Sequence, residues 1–160
     1  MSERTPMTLK GHKVLSEELQ RLKYVERPKA SKAIEVAREH GDLSENAEYD
    51  AAKQAQGLLE AKIRDLESKL GTAQVVDVST LSGDRVVFGA TVKICCLDDD
   101  ERREIYIVGE DEANAALGFL SYKSPLARAL IGKQEGDVVQ VKLPSGEKDY
   151  EILAVSFAEK

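Results

Sequence analysis

The chain has 160 residues, 32% charged and 42% hydrophobic, which suits one large or two small globular domains. It has no run of about 18 apolar residues, and MSERTPMTLKGHK at its start has no apolar stretch, so neither a membrane span nor a secretory leader is expected. The net charge of −6 lies wholly beyond residue 75, where 10 Lys/Arg face 16 Asp/Glu, and this excludes a uniformly basic nucleic-acid binder.

Thr8 is a candidate N-cap for a first helix, with Gly11 weakening its first turn. Apolar residues recur at helical spacing at Val14, Leu15, Leu19, Leu22 and Val25. Pro28 lacks an N–H and fixes φ, so the helix is expected to kink or restart there. The pattern resumes at Ala30, Ala33, Ile34 and Ala37 and stops at His40-Gly41. About 30 residues of helix would reach roughly 45 Å at 1.5 Å per residue.

A short break follows, Gly41-Asp42-Leu43-Ser44-Glu45-Asn46. Glycine ends helices, and Asp, Ser and Asn begin them. A second apolar stripe then runs through Ala52, Ala55, Leu59, Ile63, Leu66, Leu70 and Ala73, at spacings of 3, 4, 4, 3, 4 and 3. Glu60–Arg64 and Asp65–Lys69 are acid-before-base pairs at i,i+4, and Gly71 ends the helix. Two long helices with matching stripes and a tight turn predict an antiparallel coiled-coil hairpin over residues 1–74. Alanines crowd its outer end, either for close helix approach or because alanine favours helices.

From residue 75 to 160 short β-branched runs replace the heptads. Strands are expected at Gln74–Val78, Arg85–Phe88, Ala90–Leu97, Arg103–Val108, Val138–Leu143 and Tyr150–Ser156, separated by Gly-, Asp- and Pro-rich turns. Ser124 as N-cap, Pro125 at the first position and Gly132 at the end predict one short helix. The second half therefore reads as an α+β domain built on an antiparallel sheet. The adjacent Cys95 and Cys96 sit in an apolar run and read as buried thiols of a reducing compartment.

The tip carries the chemistry. Asp42 and Glu45, three residues apart, can lie on one face and share a hard divalent cation such as Mg²⁺, with further ligands supplied from outside the chain. The same Asp-x-x-Glu pattern also fits a capping box, Asp42 at N-cap and Glu45 at N3. Arg38 and Lys53 flank the tip, one on each helix. They read as solvated surface charge or as a small cationic spot for phosphate. No nucleophile triad, CxxC pair or phosphate-binding glycine loop is present.

The stretch Arg38–Lys53, REHGDLSENAEYDAAK, resembles the tip motif of the bacterial Gre transcript-cleavage (transcription elongation) factors, in their GreA branch. The likeness extends to Met7-Thr8-Leu9 with Gly11, Glu18-Leu19, Leu22-Lys23, Arg27-Pro28, Phe88-Gly89-Ala90 and Ser124-Pro125-Leu126-Ala127-Arg128 through Ile131-Gly132-Lys133. It implies an N-terminal coiled-coil hairpin and a C-terminal FKBP-like domain that binds bacterial RNA polymerase at the rim of its secondary channel. It implies that the hairpin brings Asp42 and Glu45 to the polymerase active site, where a second Mg²⁺ is held only within the complex, and that Arg38 and Lys53 meet the nascent RNA 3′ end. The expected protein is a cytoplasmic monomer and an accessory factor, not an enzyme by itself. Ser44 departs from relatives that often carry Lys there. Rival readings are a secondary-channel binder that inhibits without cleavage, a peptidyl-prolyl isomerase and a plain coiled-coil adaptor. The first would carry a more acidic tip, the second an aromatic-lined pocket, and the third a tip tolerant of substitution.

Overall fold

The computed structural model describes residues 4–41 and 46–158. It separates into two compact units, one formed by His12–Ala73 and the other by Arg4–Gly11 with Gln74–Lys160.

The helical unit is a hairpin. Helix α1 runs Leu9–Arg21, a single π-type turn covers Leu22–Glu26, and helix α2 runs Arg27–Arg38; helix α3, Ala47–Gly71, returns along them. The π-turn falls where Pro28 is expected to disturb the helix. Proline cannot donate to the carbonyl four residues back and crowds it, and a π-turn absorbs the misfit by taking in one extra residue. That extra residue has a second effect. Leu22 and Ile34, both buried, are 12 residues apart in the sequence. At about 100° per residue, 12 residues would leave them roughly 120° out of phase, whereas 11 leave about 20°. The π-turn thus brings the two halves of the stripe onto one face.

Leu22, Ile63 and Leu66 form the buried centre of the hairpin, with Leu15, Leu19 and Leu59 packed around them. Toward the tip, Ile34 and Ala37 are the buried residues of α2. Ion pairs line both flanks. Arg27 grips Glu60 with two bonds of 2.8 Å each, Lys23 lies 3.6 Å from Glu67 and Lys62 lies 3.6 Å from Glu18. Glu60 therefore bonds across the hairpin, where the sequence suggested a bond along the helix to Arg64. The fork of Arg27 matches the carboxylate in two places at once, which makes this the charge-assisted two-bond kind of pair. Asp65 and Lys69 do pair along the helix, at 3.1 Å.

The second unit holds two sheets. Strand β1, Thr5–Thr8, pairs with β2, Ala73–Val76. This draws Arg4–Gly11, assigned to the hairpin by sequence pattern, into the second unit. The larger sheet comprises β3 (Thr91–Cys96), β4 (Arg102–Val108), β5 (Phe119–Ser121), β6 (Val138–Leu143) and β7 (Gly146–Ser156), in the order β5-β4-β3-β7-β6. It is mixed: β4 and β5 run parallel, the other neighbours antiparallel. Helix α4, Pro125–Leu130, buries Leu126, Ala127 and Leu130 in a core with Val92, Ile94, Ile105, Ile107, Val141 and Ile152. Ser124 caps α4 by accepting from the Ala127 N–H at 3.3 Å. Cys95 and Cys96 are buried free thiols.

The expected strand Arg85–Phe88 is absent. Val86 is fully buried but bonds outside any sheet, donating to Lys133 O at 2.8 Å and accepting from the Gly132 N–H at 2.8 Å. Its apolar run is a core anchor in a loop, which periodicity over four residues cannot separate from a strand.

The N-terminal segment is fixed by one carboxylate. Glu112 accepts from the Thr8 N–H at 3.1 Å, from the Thr8 hydroxyl, and from the Gly109 N–H at 3.0 Å. The Thr8 hydroxyl in turn accepts from the Gly11 N–H at 3.1 Å, capping α1 as expected. A Cβ at Gly11 would collide with the Glu112 carboxylate.

Two expectations follow. Alanine favours helix over glycine by about 1 kcal/mol, while stranding the buried donors of this network costs about 1–3 kcal/mol. Gly11→Ala should therefore lower the thermal midpoint, and a raised midpoint would show that the network matters less than helix propensity. In the hairpin, the hydrogen bond from Arg27 holds the Glu60 carboxyl below its ordinary value of 4.5, and that from Arg21 does the same for Glu18. A depressed carboxyl stabilises the fold above its unfolded value, and the contribution is lost as pH falls through the folded one. The stability gap between wild type and Glu60→Gln should thus narrow as pH drops from neutral to below 4.5. A pH-independent gap in denaturant titrations would contradict this.

Candidate functional site

The ends of the hairpin's two arms frame the tip. Helix α2 closes at Arg38, and Gly41 follows with φ 109°, a left-handed conformation that glycine adopts without strain. Asp42 and Glu45, the expected tip carboxylates, lie outside the described residues, as do Leu43 and Ser44.

Asn46 is the N-cap of α3. Its side-chain oxygen accepts from the Tyr49 N–H at 3.0 Å. Its amide nitrogen donates to the Ala37 carbonyl of α2 at 2.6 Å. One side chain thus satisfies a free donor at the start of α3 and adds a second donor to the Ala37 carbonyl, which also accepts from the His40 N–H at 3.2 Å, and so ties the arms together. This corrects the capping-box reading. The helix begins at Ala47, so the cap falls on Asn46, four residues beyond Asp42, and Glu45 precedes the cap. The Asp-x-x-Glu spacing imitates a cap, but the residue whose side chain accepts from the first turn of α3 is Asn46.

Two more contacts brace the same level. His40 Nδ1 lies 2.9 Å from a Glu48 carboxylate oxygen. The Arg38 guanidinium carbon sits 5.9 Å from the centre of the Tyr49 ring, within cation–π range. Glu48 and Asp50 supply negative charge in the first turn of α3, where the helix dipole favours it. Lys53 is exposed on α3, one turn beyond Tyr49, and makes no ion pair among the described residues. Arg38 is also exposed. The two cations therefore stand at the two arms beside the tip, open to an external anion.

The sequence offers Asn46 as one of three helix-starting residues in the break without singling it out, and gives no role to Tyr49. Asn46 directly precedes the helical pattern, which is a usable signal beside the Asp-x-x-Glu spacing. Tyr49 had no signal, because its partner Arg38 is on the other helix. Among the described residues no group of three or more His, Cys, Asp or Glu side chains could hold a metal ion. No helix there is long and apolar enough to cross a membrane.

One unit is a helical hairpin with Arg38 and Lys53 on its two arms, the other a mixed sheet with one short helix, and together they define a two-unit protein. Sequence families bear on both units. Residues 5–75 match the family described as "Transcription elongation factor, N-terminal". Residues 81–157 match "Transcription elongation factor, GreA/GreB, C-term". The chain is 55% identical to transcription elongation factor GreA of Phenylobacterium zucineum over 97% of this chain and 99% of the relative. It is 54% identical to the GreA of Thioalkalivibrio sulfidiphilus over 96% and 98%. A solved structure of GreA factor homolog 1 (Gfh1) from Thermus thermophilus is similar at 27% identity, covering 96% of this chain and 99% of that one, with a TM-score of 0.44. The chain belongs to the GreA/GreB family of transcription elongation factors.

The cap generates a direct test. Asn46→Ala removes both bonds and should cost about 1 kcal/mol or more in urea unfolding. Asn46→Asp keeps the acceptor for Tyr49, loses the donor to Ala37, and should cost less. Equal losses would assign the effect to the Ala37 bond alone.

Proposed function

We propose that this chain binds bacterial RNA polymerase and stimulates the polymerase's own cleavage of backtracked RNA. A backtracked polymerase has extruded the RNA 3′ end and cannot add nucleotides. Hydrolysis of an internal phosphodiester restores a 3′ end in the active site. In this reading the hairpin enters the secondary channel while the sheet unit docks at its rim, and the protein works as a cytoplasmic monomer. It is an accessory factor, and the polymerase supplies the catalytic centre.

Asp42 and Glu45 offer oxygen donors of the kind Mg²⁺ prefers, though too few to hold it without the polymerase and its substrate. When bound between them and the polymerase, a second Mg²⁺ would help generate and orient the attacking water. Arg38 and Lys53 contribute local positive charge for the phosphates of the extruded strand. The excess acid beyond residue 75 favours a protein partner for that half over nucleic acid.

Besides family membership, the observation that supports this reading most is the cap on Asn46. It relieves Asp42 and Glu45 of the local role that competed with metal binding. The rival of a noncleaving channel binder calls for a more acidic tip than GDLSEN.

Asp42→Asn and Glu45→Gln should each abolish most cleavage in stalled elongation complexes while leaving polymerase binding nearly unchanged, since the amides keep shape and lose the charge a second Mg²⁺ needs. Wild-type cleavage by both variants would eliminate the metal role.

A further inference from the structure

Arg38 and Lys53 belong to different helices, so their joint action on one RNA strand requires that something fix their spacing. Lys53 springs from α3, a rigid element. Arg38 is the last residue of α2 and is exposed, so its long side chain is free to sample many rotamers unless held. Among the described residues, Tyr49 bridges the two. Its ring lies under the Arg38 guanidinium at 5.9 Å. It stands four residues before Lys53, on the same face of α3. The ring itself is half-buried, and its backbone N–H is tied to the Asn46 cap. An anchored aromatic ring thus holds a cation from the opposite arm against a residue that lies one helical turn from Lys53.

We infer that Tyr49 is a positioning residue for RNA contact, holding the Arg38 guanidinium in line with Lys53 so that the two cations engage phosphates of one single strand together. The inference rests on the proposed RNA-contacting role of Arg38 and Lys53. Two cations held at a fixed spacing lose less conformational freedom on meeting the strand than two independent side chains do, and the ring supplies that restraint through its face. The phenolic hydroxyl is not needed for it, so phenylalanine should serve as well as tyrosine, and leucine should not.

The test measures binding of the full-length protein to stalled elongation complexes with short and with long extruded 3′ segments, across a range of salt. Arg38→Ala should weaken binding to the long-segment complexes and flatten the salt dependence by about 0.7 in the log–log slope, the increment for one single-strand phosphate contact. Tyr49→Leu should lose about two- to five-fold on the long-segment complexes, the ratio a cation–π contact at an exposed site represents. It should lose nothing on the short ones. Tyr49→Phe should match wild type. The Arg38→Ala/Tyr49→Leu double variant should be no weaker than Arg38→Ala alone, because the ring acts only through the guanidinium.

A merely structural tyrosine would weaken both kinds of complex and add to Arg38→Ala, and that result overturns the inference. A Phe variant as weak as the Leu variant overturns it too, since it points to the hydroxyl. If Arg38→Ala itself leaves long-segment binding unchanged, the RNA role of the cations falls and the positioning role falls with it. If Arg38→Ala weakens binding and Tyr49→Leu does not, the RNA role stands and only Tyr49 is excluded. Cleavage by Asp42→Asn is read separately and bears on the carboxylates alone.

Discussion

Glu112 holds the beginning of the chain through charge where apolar burial is scarce. Strand β1 has only four residues and one neighbour, and a two-stranded ribbon that short is marginal in water by itself. Met7 supplies one buried side chain. What remains is a carboxylate with three donors aimed at it, two from Thr8 and one from Gly109. Bonds to an ionised acceptor are the stronger kind, and here they order the strand, the cap and the first helical turn at once. The requirement propagates to sequence: a hydroxyl at 8, no side chain at 11, and an acid at 112 are one device spread over more than a hundred residues.

The hairpin obeys a different economy. Its buried centre is small, three buried side chains and their neighbours, and its flanking ion pairs are solvent-exposed, each worth little as stability. Their value is directional. Arg27 on Glu60, Lys23 on Glu67 and Lys62 on Glu18 each match one level of one arm to one level of the other. At the far end Asn46 closes the pair of arms by bonding to both. The tip is thus presented by arms whose alignment is set at several independent heights.

Much of this was legible in the residues, and the failures share a cause. The hairpin, its stripe, the Thr8 and Ser124 caps and most strands follow from local pattern, because period and cap chemistry are properties of neighbours in sequence. The parallel pairing of β5 with β4, the short strand Thr5–Thr8 and the bond from Arg27 to Glu60 are set by residues far apart in the chain. No window of ten residues contains them. Arg85–Phe88 failed in the opposite direction: a short apolar run promised a strand, but Val86 spends its backbone bonds on the loop at Gly132–Lys133. At the site, the charged residues were visible as types in a motif, whereas Asn46 and Tyr49 matter through partners on the other arm.

The π-turn at Leu22–Glu26 has a consequence for how such hairpins can vary in length. Elsewhere along either arm, gaining or losing one residue would turn everything beyond it by about 100° and carry the buried stripe out to solvent. Within this turn the extra residue is already stored as a widened loop of backbone. A shortened chain lacking one residue here could close into plain α-helix with Leu22 and Ile34 still on one face, and the arm would keep its aim. The segment is therefore the one place identified along the arm where a single residue can be lost without disturbing what the tip presents.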